Sequence, residues 1–163
     1  MNKVQVLMST YNGEKYLKEQ IDSILNQEGV EVSLLIRDDG SCDQTVAIIE
    51  EYVKNNSNIK FYQGKNVGSA KSFMDLVINS DEVNYYAFSD QDDVWEVNKL
   101  ISAVNKLEEV SDKPSLYISE AKVVDENLNI IETKKVRQVL STQTCTKMKD
   151  IMKSAVDYGK HAQ

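Results

Sequence analysis

The sequence predicts an open α/β sheet, mostly parallel, with helices on both faces. Short apolar runs of β-type composition alternate four times with segments whose apolar residues lie three and four positions apart. The connections are short, as they are in right-handed crossovers between parallel strands. The second run, 32–36, is almost entirely apolar, which is typical of a strand that is covered on both faces.

The predicted elements follow one another in strict alternation. We place strands at 4–8, 32–36, 59–63 and 85–88. We place helices at 14–27, at about 46–54, at the apolar stripe of Phe73, Leu76 and Val77, and at 97–107, before Pro114. Ser41 and Gln44 have the spacing of a capping box for the second helix.

Beyond the fourth helix the pattern weakens. We expect a fifth strand at 116–119, a hairpin of 122–124 and 129–131 appended to the sheet, and an amphipathic helix at 146–158. The domain prediction is therefore one α/β domain over residues 1–135. Residues 136–163 are interpreted as a helical tail or as the start of a truncated second half.

Composition limits the classes of ligand and compartment. The 163 residues carry a net charge of −7 without a lysine-rich stripe, which argues against nucleic acid; an anionic ligand would need a metal ion or helix N-termini. Two cysteines, Cys42 and Cys145, form neither a disulfide framework nor a zinc cluster and fit a reducing cytoplasm. No apolar run approaches the roughly 18 to 20 residues of a membrane span. Peripheral association with a membrane and dimerisation stay open.

Polar residues follow each predicted strand. Because ligands of open α/β sheets bind outside the carboxyl ends of the strands, the loops at 9–12, 38–40, 64–68 and 90–93 should share one edge. The last loop holds three carboxylates within four positions, which repel one another unless a cation is present and suit Mg²⁺ or Mn²⁺. This predicts a metal-assisted site. The alternative for 38–40 is a plain turn, with Ser41 capping the next helix.

Several common sites are not supported. The sequence contains neither a dinucleotide-binding glycine fingerprint nor a P-loop. Its one histidine, His161, lies in the tail, which disfavours a catalytic triad and a histidine-rich metal site. An aspartyl phosphotransfer domain is a weaker alternative, because the first strand ends in Ser-Thr-Tyr and offers no nucleophilic aspartate.

Five segments stand out by their order and spacing. They are Val-Gln-Val-Leu-Met-Ser-Thr-Tyr-Asn-Gly at 4–13, Gln-Ile-Asp-Ser-Ile-Leu-Asn-Gln at 20–27, Ile-Arg-Asp-Asp-Gly-Ser at 36–41, Asn-Val-Gly at 66–68 and Ser-Asp-Gln-Asp-Asp-Val-Trp at 89–95. Together they resemble the nucleotide-sugar-binding part of family 2 glycosyltransferases of the GT-A fold, especially bacterial rhamnosyltransferase-like members. The resemblance spans about residues 3–131.

The resemblance implies roles for residues near the nucleoside. Ser9 and Tyr11 resemble the loop that packs against the base, and Asp39 resembles the aspartate that accepts a hydrogen bond from the pyrimidine N3–H. Gly68 resembles the glycine that lets the backbone approach the nucleoside, and Lys71 is expected near the base or a phosphate. Tyr11 as an aromatic at the edge of the core and Lys71 as a solvated helix residue are the alternatives. The neighbouring Asp38 is expected to support its loop.

The resemblance also implies a metal. The segment Asp90, Gln91 and Asp92 is similar to the Asp-x-Asp motif of the family, which contacts the ribose and holds Mn²⁺ or Mg²⁺. Asp92 is the first candidate ligand and Asp90 the second. Asp93 is expected to cap the following helix, and Trp95 to pack beneath the loop.

The implied activity is metal-dependent, inverting transfer from a UDP- or dTDP-sugar to a saccharide or lipid-linked acceptor, in cell-surface polysaccharide biosynthesis. Such an enzyme works in the cytoplasm, with the inner face of the membrane as one option. The family's carboxylate base lies after the hairpin, and no matching segment is recognisable here, so the catalytic residue is unknown. A truncated, non-catalytic nucleotide-sugar-binding module is therefore the main alternative.

Overall fold

The computed structural model describes residues 1–110, 115–119, 121–125 and 128–134. The strands are β1 (Lys3–Thr10), β2 (Glu31–Asp38), β3 (Ile59–Gln63), β4 (Tyr85–Ser89), β5 (Ala121–Val124) and β6 (Ile130–Lys134). The helices are α1 (Leu17–Leu25), α2 (Thr45–Asn55), α3 (Ser69–Asn79) and α4 (Lys99–Glu108). The four predicted alternations are confirmed. Among these described residues, no helix has the length and hydrophobicity that a membrane crossing requires.

The main sheet has four strands in the order β3-β2-β1-β4. Every neighbouring pair is parallel, and Leu7 of β1 lies in register with Leu35 of β2 and Phe88 of β4. The predicted parallel sheet is therefore confirmed. Because the strands are parallel, the loops that follow all four of them emerge at the same edge.

Helices cover both faces of this sheet, as predicted, but unequally. Since successive side chains of a strand point to opposite faces, Val6 and Met8 join a larger core with α1, α2 and α4. Leu7 joins a smaller core with Leu76 and Val77 of α3. Full burial of an apolar side chain of this kind stabilises a fold by roughly 1.5–3 kcal/mol, so both faces contribute to stability.

The region after α4 differs from the prediction. Residues 116–119 are irregular, so the predicted fifth strand is wrong: this run pairs with no strand among the described residues. The hairpin is confirmed, but β5 and β6 form a separate antiparallel sheet and do not extend the main one. The predicted helix at 146–158 and the domain boundary at 135 lie outside the described residues.

The predicted capping box of α2 is also wrong. Gln44 occupies the position before the helix, and the hydroxyl of Ser41 is directed to other partners. Instead, the carboxylate of Asp43 accepts a hydrogen bond from the backbone N–H of Thr45 at 3.0 Å. Burial opposes ionisation of Asp43, but hydrogen bonds from Thr45 and from the backbone of Glu14 lower its pKa.

Candidate functional site

A cavity of about 530 Å³ lies at the carboxyl edge of the main sheet. The loops after β1, β2, β3 and β4 all contribute to its wall, which confirms the prediction that they share one edge. Its volume is within the roughly 300–1,000 Å³ of small-molecule sites. The lining residues are Ser9, Tyr11, Asp39, Asn66, Gly68, Ser69, Phe73, Asp90, Gln91 and Asp92.

Asp38 holds the loop after β2 in place. Its side chain is buried and accepts hydrogen bonds from the hydroxyl of Thr10 at 3.1 Å and from the backbone amides of Gly40 at 3.0 Å and Ser41 at 2.9 Å. The hydroxyl of Ser41 donates to the same carboxylate. These contacts confirm the predicted role of Asp38 as a support of the loop.

The loops after β1 and β2 also bind each other. The backbone amide of Asn12 donates to the hydroxyl of Ser41 at 2.9 Å, and the side chain of Asn12 accepts from the amide of Cys42 at 2.9 Å. The amide of Gly13 donates to the hydroxyl of Thr45 at 2.8 Å. Because donors run in both directions, these two loops form one unit of the cavity wall.

Asp39, next to Asp38, faces the cavity and is 2% exposed. It accepts hydrogen bonds from the guanidinium of Arg37 at 2.6 Å, from the amide of Val67 at 3.0 Å and from the amide of Gly68 at 2.9 Å. Burial alone would raise the pKa of Asp39, but these hydrogen bonds and the charge of Arg37 lower it below its ordinary value. Asp39 is therefore held as a carboxylate.

Gly68 combines a place in the cavity wall with a left-handed backbone. Its φ is 84°, a conformation that favours glycine. A Cβ at this position would meet no heavy atom within 4 Å, so the space in front of it is open. The close approach of a nucleoside to Gly68 is compatible with this geometry and stays a prediction.

The acidic loop brings only part of its charge to the cavity. Asp90 and Asp92 line it, whereas Asp93 lies outside that lining. Burial, together with the negative charges of Asp93 and Asp92, raises the pKa of Asp90. Among the described residues, no Lys or Arg forms an ion pair with these three aspartates, and no three His, Cys, Asp or Glu side chains converge as a self-sufficient metal site.

Helix α1 anchors the start of the acidic loop. Gln20, which is fully buried, donates to the hydroxyl of Ser89 at 2.7 Å, and that hydroxyl donates to the carbonyl of Asp90 at 2.8 Å. One turn further, the hydroxyl of Ser23 accepts from the backbone amide of Trp95 at 3.0 Å. The polar positions of the 20–27 segment therefore hold the loop that carries the carboxylates.

The end of the acidic loop gives one confirmation and one correction. Trp95 is buried in the larger core, as predicted for a residue beneath the loop. The predicted capping role of Asp93 is wrong, because α4 begins at Lys99 and Asn98 occupies the position before it. The loop is longer than the sequence suggested, so Asp93 lies too far from the helix start.

Gln91 connects the acidic loop to the loop after β1. Its side-chain oxygen accepts from the backbone amide of Tyr11 at 2.8 Å, and its side-chain nitrogen donates to the carbonyl of Tyr11 at 3.0 Å. A Cβ at Gly13 would overlap the Gln91 amide, so the glycine leaves room for it. Tyr11 is 48% exposed and lines the cavity, and its contact with a base stays a prediction.

Ser9 and Lys71 complete the set of predicted residues. Ser9 lines the cavity, and its hydroxyl lies 2.6 Å from that of Ser72 in α3. Lys71 is exposed in the first turn of α3 and is not among the residues that line the cavity. Its expected contact with a base or phosphate stays a prediction.

Sequence reasoning missed Arg37 and Ser72. Both are buried, and Arg37 donates to Ser72 and to Asp39. One signal was available for the arginine, since a charge directly after the apolar run 34–36 must find buried partners. Ser72 gave no signal, because a serine within a helical pattern is ordinarily exposed.

The family model described as glycosyl transferase family 2 matches residues 5–147. This chain belongs to glycosyl transferase family 2. The family assignment confirms the resemblance that the five sequence segments carry. It also removes the support for an aspartyl phosphotransfer domain.

Two curated relatives are similar to this chain over more than half of its length. The dTDP-rhamnosyl transferase RfbG of Shigella flexneri is 38% identical over 105 residues, which are 61% of this chain and 36% of that protein. The teichoic acid poly(glycerol phosphate) polymerase of Staphylococcus epidermidis is 33% identical over 95 residues, which are 57% of this chain and 13% of that protein. The chain spans 20 to 42% of the length of the first four relatives it matches.

Solved structures share the fold. S. aureus TarS 1-349 in complex with UDP-GlcNAc matches with a TM-score of 0.59 and 32% identity, over 66% of this chain and 31% of that one. The mannosyltransferase PcManGT of Pyrobaculum calidifontis, in complex with GDP-Man and Mn²⁺, has a TM-score of 0.58 at 20% identity, over 64% of this chain and 32% of that one. These likenesses confirm the predicted α/β fold of the GT-A type.

Proposed function

We propose that this glycosyltransferase chain binds a UDP- or dTDP-sugar together with Mn²⁺ or Mg²⁺ and serves inverting sugar transfer. The observation that supports this best is that one cavity is lined both by Tyr11, Asp39 and Gly68 and by Asp90 and Asp92. The first group suits a pyrimidine nucleoside. The second suits the cation that accompanies a diphosphate.

The base-binding part of the proposal depends on Asp39 and Tyr11. Asp39 is a buried carboxylate, and uracil and thymine present a ring N–H donor that such an acceptor can bind. The exposed ring of Tyr11 offers a flat surface on which a base can stack. The named donors of two relatives agree with a pyrimidine, since RfbG is a dTDP-rhamnosyl transferase and a TarS structure contains UDP-GlcNAc.

The donor set of the acidic loop fits a hard divalent cation. Asp92 and Asp90 line the cavity, and in the described part of the chain neither forms an ion pair with a Lys or Arg. Mg²⁺ in phosphate sites needs only one or two carboxylates, because water and substrate oxygens complete its shell. When bound, such a cation offsets the negative charge that develops on a departing nucleoside diphosphate.

The acceptor side of the proposal is coarser. Inverting transfer needs a base that deprotonates the acceptor hydroxyl, and we assign no residue to that role. The acceptor we propose is a saccharide or lipid-linked molecule of the cell surface, which follows from the resemblance to rhamnosyltransferase-like members. On that assignment we propose a cytoplasmic location, with the inner face of the membrane as one option.

Titration calorimetry with UDP and dTDP, each with and without Mn²⁺, tests the proposal. We expect binding that strengthens when Mn²⁺ is present, and weaker binding of ADP as the control for base recognition. Absence of any metal-dependent binding would contradict the assigned function. A transfer assay with labelled donor then distinguishes an active transferase from a non-catalytic nucleotide-sugar-binding module. Binding without transfer supports only the module.

A further inference from the structure

Arg37 lies buried beside the cavity with each of its three side-chain nitrogens bonded. Nη1 donates to Asp39 at 2.6 Å and to Ser72 at 3.0 Å, and Nε donates to Asp75 at 2.9 Å. Nη2 donates to the carbonyl of Lys65 at 3.1 Å. One side chain thereby joins β2, α3 and the loop between β3 and α3.

The surroundings of Arg37 are shaped for a guanidinium group. A Cβ at residue 64 would overlap it, so Gly64 provides the necessary space. Tyr62 donates to the same oxygen of Asp75 that Arg37 uses, at 3.0 Å. Lysine cannot replace this arrangement, because an ammonium group is a point charge without a planar fork of donors. Removing one partner of a buried ion pair is strongly destabilising, so the network and the arginine depend on each other.

The network determines what Asp39 can offer a ligand. The carboxylate accepts from three donors: Arg37 on Oδ1, Gly68 on Oδ2, and the amide of Val67, which the two oxygens share at 3.0 and 3.1 Å. Three donors fill about three of the roughly four lone-pair sites of a carboxylate. About one site is left for a ligand in the cavity. Because an ionised carboxylate cannot donate, that site accepts a hydrogen bond and nothing else.

We propose that Arg37 is a positioning residue that selects a base with a ring N–H donor, uracil or thymine, by holding Asp39 as a fixed acceptor. This role rests on the nucleotide binding proposed above and goes beyond it by assigning the choice of base to a residue outside the cavity wall. Cytosine presents an acceptor nitrogen at the matching ring position, and two acceptors that face each other repel. Selection therefore depends on the charge and the placement of Asp39.

Charged groups on three elements set how Asp39 responds to pH. Arg37 of β2 is the cation in contact with it, Asp75 of α3 shares that guanidinium, and Asp90 lines the same cavity from the loop after β4. Burial alone raises the pKa of Asp39, and the hydrogen bond from Arg37 is the largest influence that lowers it. Loss of the arginine charge should therefore move that pKa upward.

Calorimetric titration of UDP and of CDP, both with Mn²⁺, tests this role on four variants. Arg37→Met removes the charge, and Arg37→Lys keeps the charge but loses the planar fork. Gly64→Ala displaces the guanidinium without changing any charge. Lys60→Met is the matched control, since it removes one positive charge from β3, where Lys60 pairs with Asp81 at the surface.

We expect the wild type to bind UDP about tenfold or more tightly than CDP, and Arg37→Met to lose most of this preference. Relative to the wild type at each pH, UDP binding by Arg37→Met should weaken further as the pH falls, because loss of the Arg37 charge raises the pKa of Asp39. Dividing the UDP affinity of Arg37→Met by that of the wild type at the same pH cancels the titration of the phosphate and of the metal ligands, which both proteins share. Arg37→Lys and Gly64→Ala should weaken UDP binding about tenfold without the added pH dependence.

An Arg37→Met protein that is folded by circular dichroism and keeps the wild-type preference and pH profile would overturn the inference. If that variant does not fold, unchanged UDP affinity and base preference in both Arg37→Lys and Gly64→Ala would overturn it equally. Failure of the wild type to bind UDP contradicts the proposed function instead. Wild-type binding that no Arg37 or Gly64 variant alters contradicts only the role of Arg37.

Discussion

Gln91 forms two hydrogen bonds to the backbone of Tyr11, at 2.8 Å to the amide and 3.0 Å to the carbonyl. The side-chain amide thereby pairs with the chain as a neighbouring strand would. This contact joins the loop that we assign to the base with the loop that we assign to the metal and diphosphate. A residue between two candidate metal ligands therefore also holds the backbone of Tyr11, whose ring we assign to the base.

Gln91→Glu should weaken UDP binding by about tenfold, because it replaces the donor to the Tyr11 carbonyl by a carboxylate and leaves a hydrogen bond unmade. Calorimetry with UDP and Mn²⁺ measures the change. Asn105→Asp is the matched control, since it makes the same amide-to-acid change on an exposed face of α4. Equal UDP affinities of Gln91→Glu and the wild type would show that UDP binding does not depend on the hydrogen bond from Gln91 to the Tyr11 carbonyl.

Asp92→Ala should abolish the metal-dependent part of UDP binding, because it removes the carboxylate that we assign first to the cation. The measurement compares calorimetric titrations with and without Mn²⁺. Asp93→Ala serves as the control, since Asp93 lies in the same loop but outside the lining of the cavity. Metal dependence that survives in Asp92→Ala would transfer the assignment to Asp90.

The fold was predictable because its signals are local. Apolar spacing located every strand and helix up to residue 108, and the parallel topology followed from their alternation. The run 116–119 shows the limit of that reasoning. Its composition suits a strand, but a strand also needs a partner in register, and no local pattern reports whether one is present.

The sequence predicted which residues line the site better than it predicted how those residues contact one another. Short motifs named Asp39, Gln91 and the acidic loop, and the common edge of parallel strands brought them together. The hydrogen-bond partners of Arg37 and Gln91 were not predictable. Most of these partners lie on other loops or elements, which come together only when the chain folds. The cap at Asp43 was missed for a similar reason, since the spacing of Ser41 and Gln44 matches a motif that competing partners override.

The lowered pKa of Asp39 predicts a specific acid response of stability. Because the pKa in the folded protein lies below the unfolded value of 3.8, ionised Asp39 stabilises the fold above that value and loses this effect as pH falls through the folded pKa. Asp39→Asn should therefore lower the free energy of unfolding by about 1.5–3 kcal/mol at neutral pH. The difference from the wild type should shrink below about pH 4.

Urea unfolding over a series of pH values measures this difference. Glu50→Gln is the control, since it removes an exposed carboxylate of α2 that makes no ion pair with another described residue. If the difference in free energy of unfolding between Asp39→Asn and the wild type stays constant as the pH falls, the assigned charge of Asp39 is contradicted.

Gly68→Ala should weaken UDP binding and also lower stability, whereas Gly29→Ala should lower stability alone. Both glycines have a left-handed backbone, with φ of 84° and 77°, so an alanine destabilises either site by about 1 kcal/mol. A methyl group at Gly29 would in addition press on Ile101, away from the cavity. A methyl group at Gly68 meets open space in the cavity wall, where we expect the nucleoside to lie. Thermal unfolding and calorimetry with UDP separate the two effects, and equal UDP affinities of the two variants would show that the nucleoside does not approach Gly68.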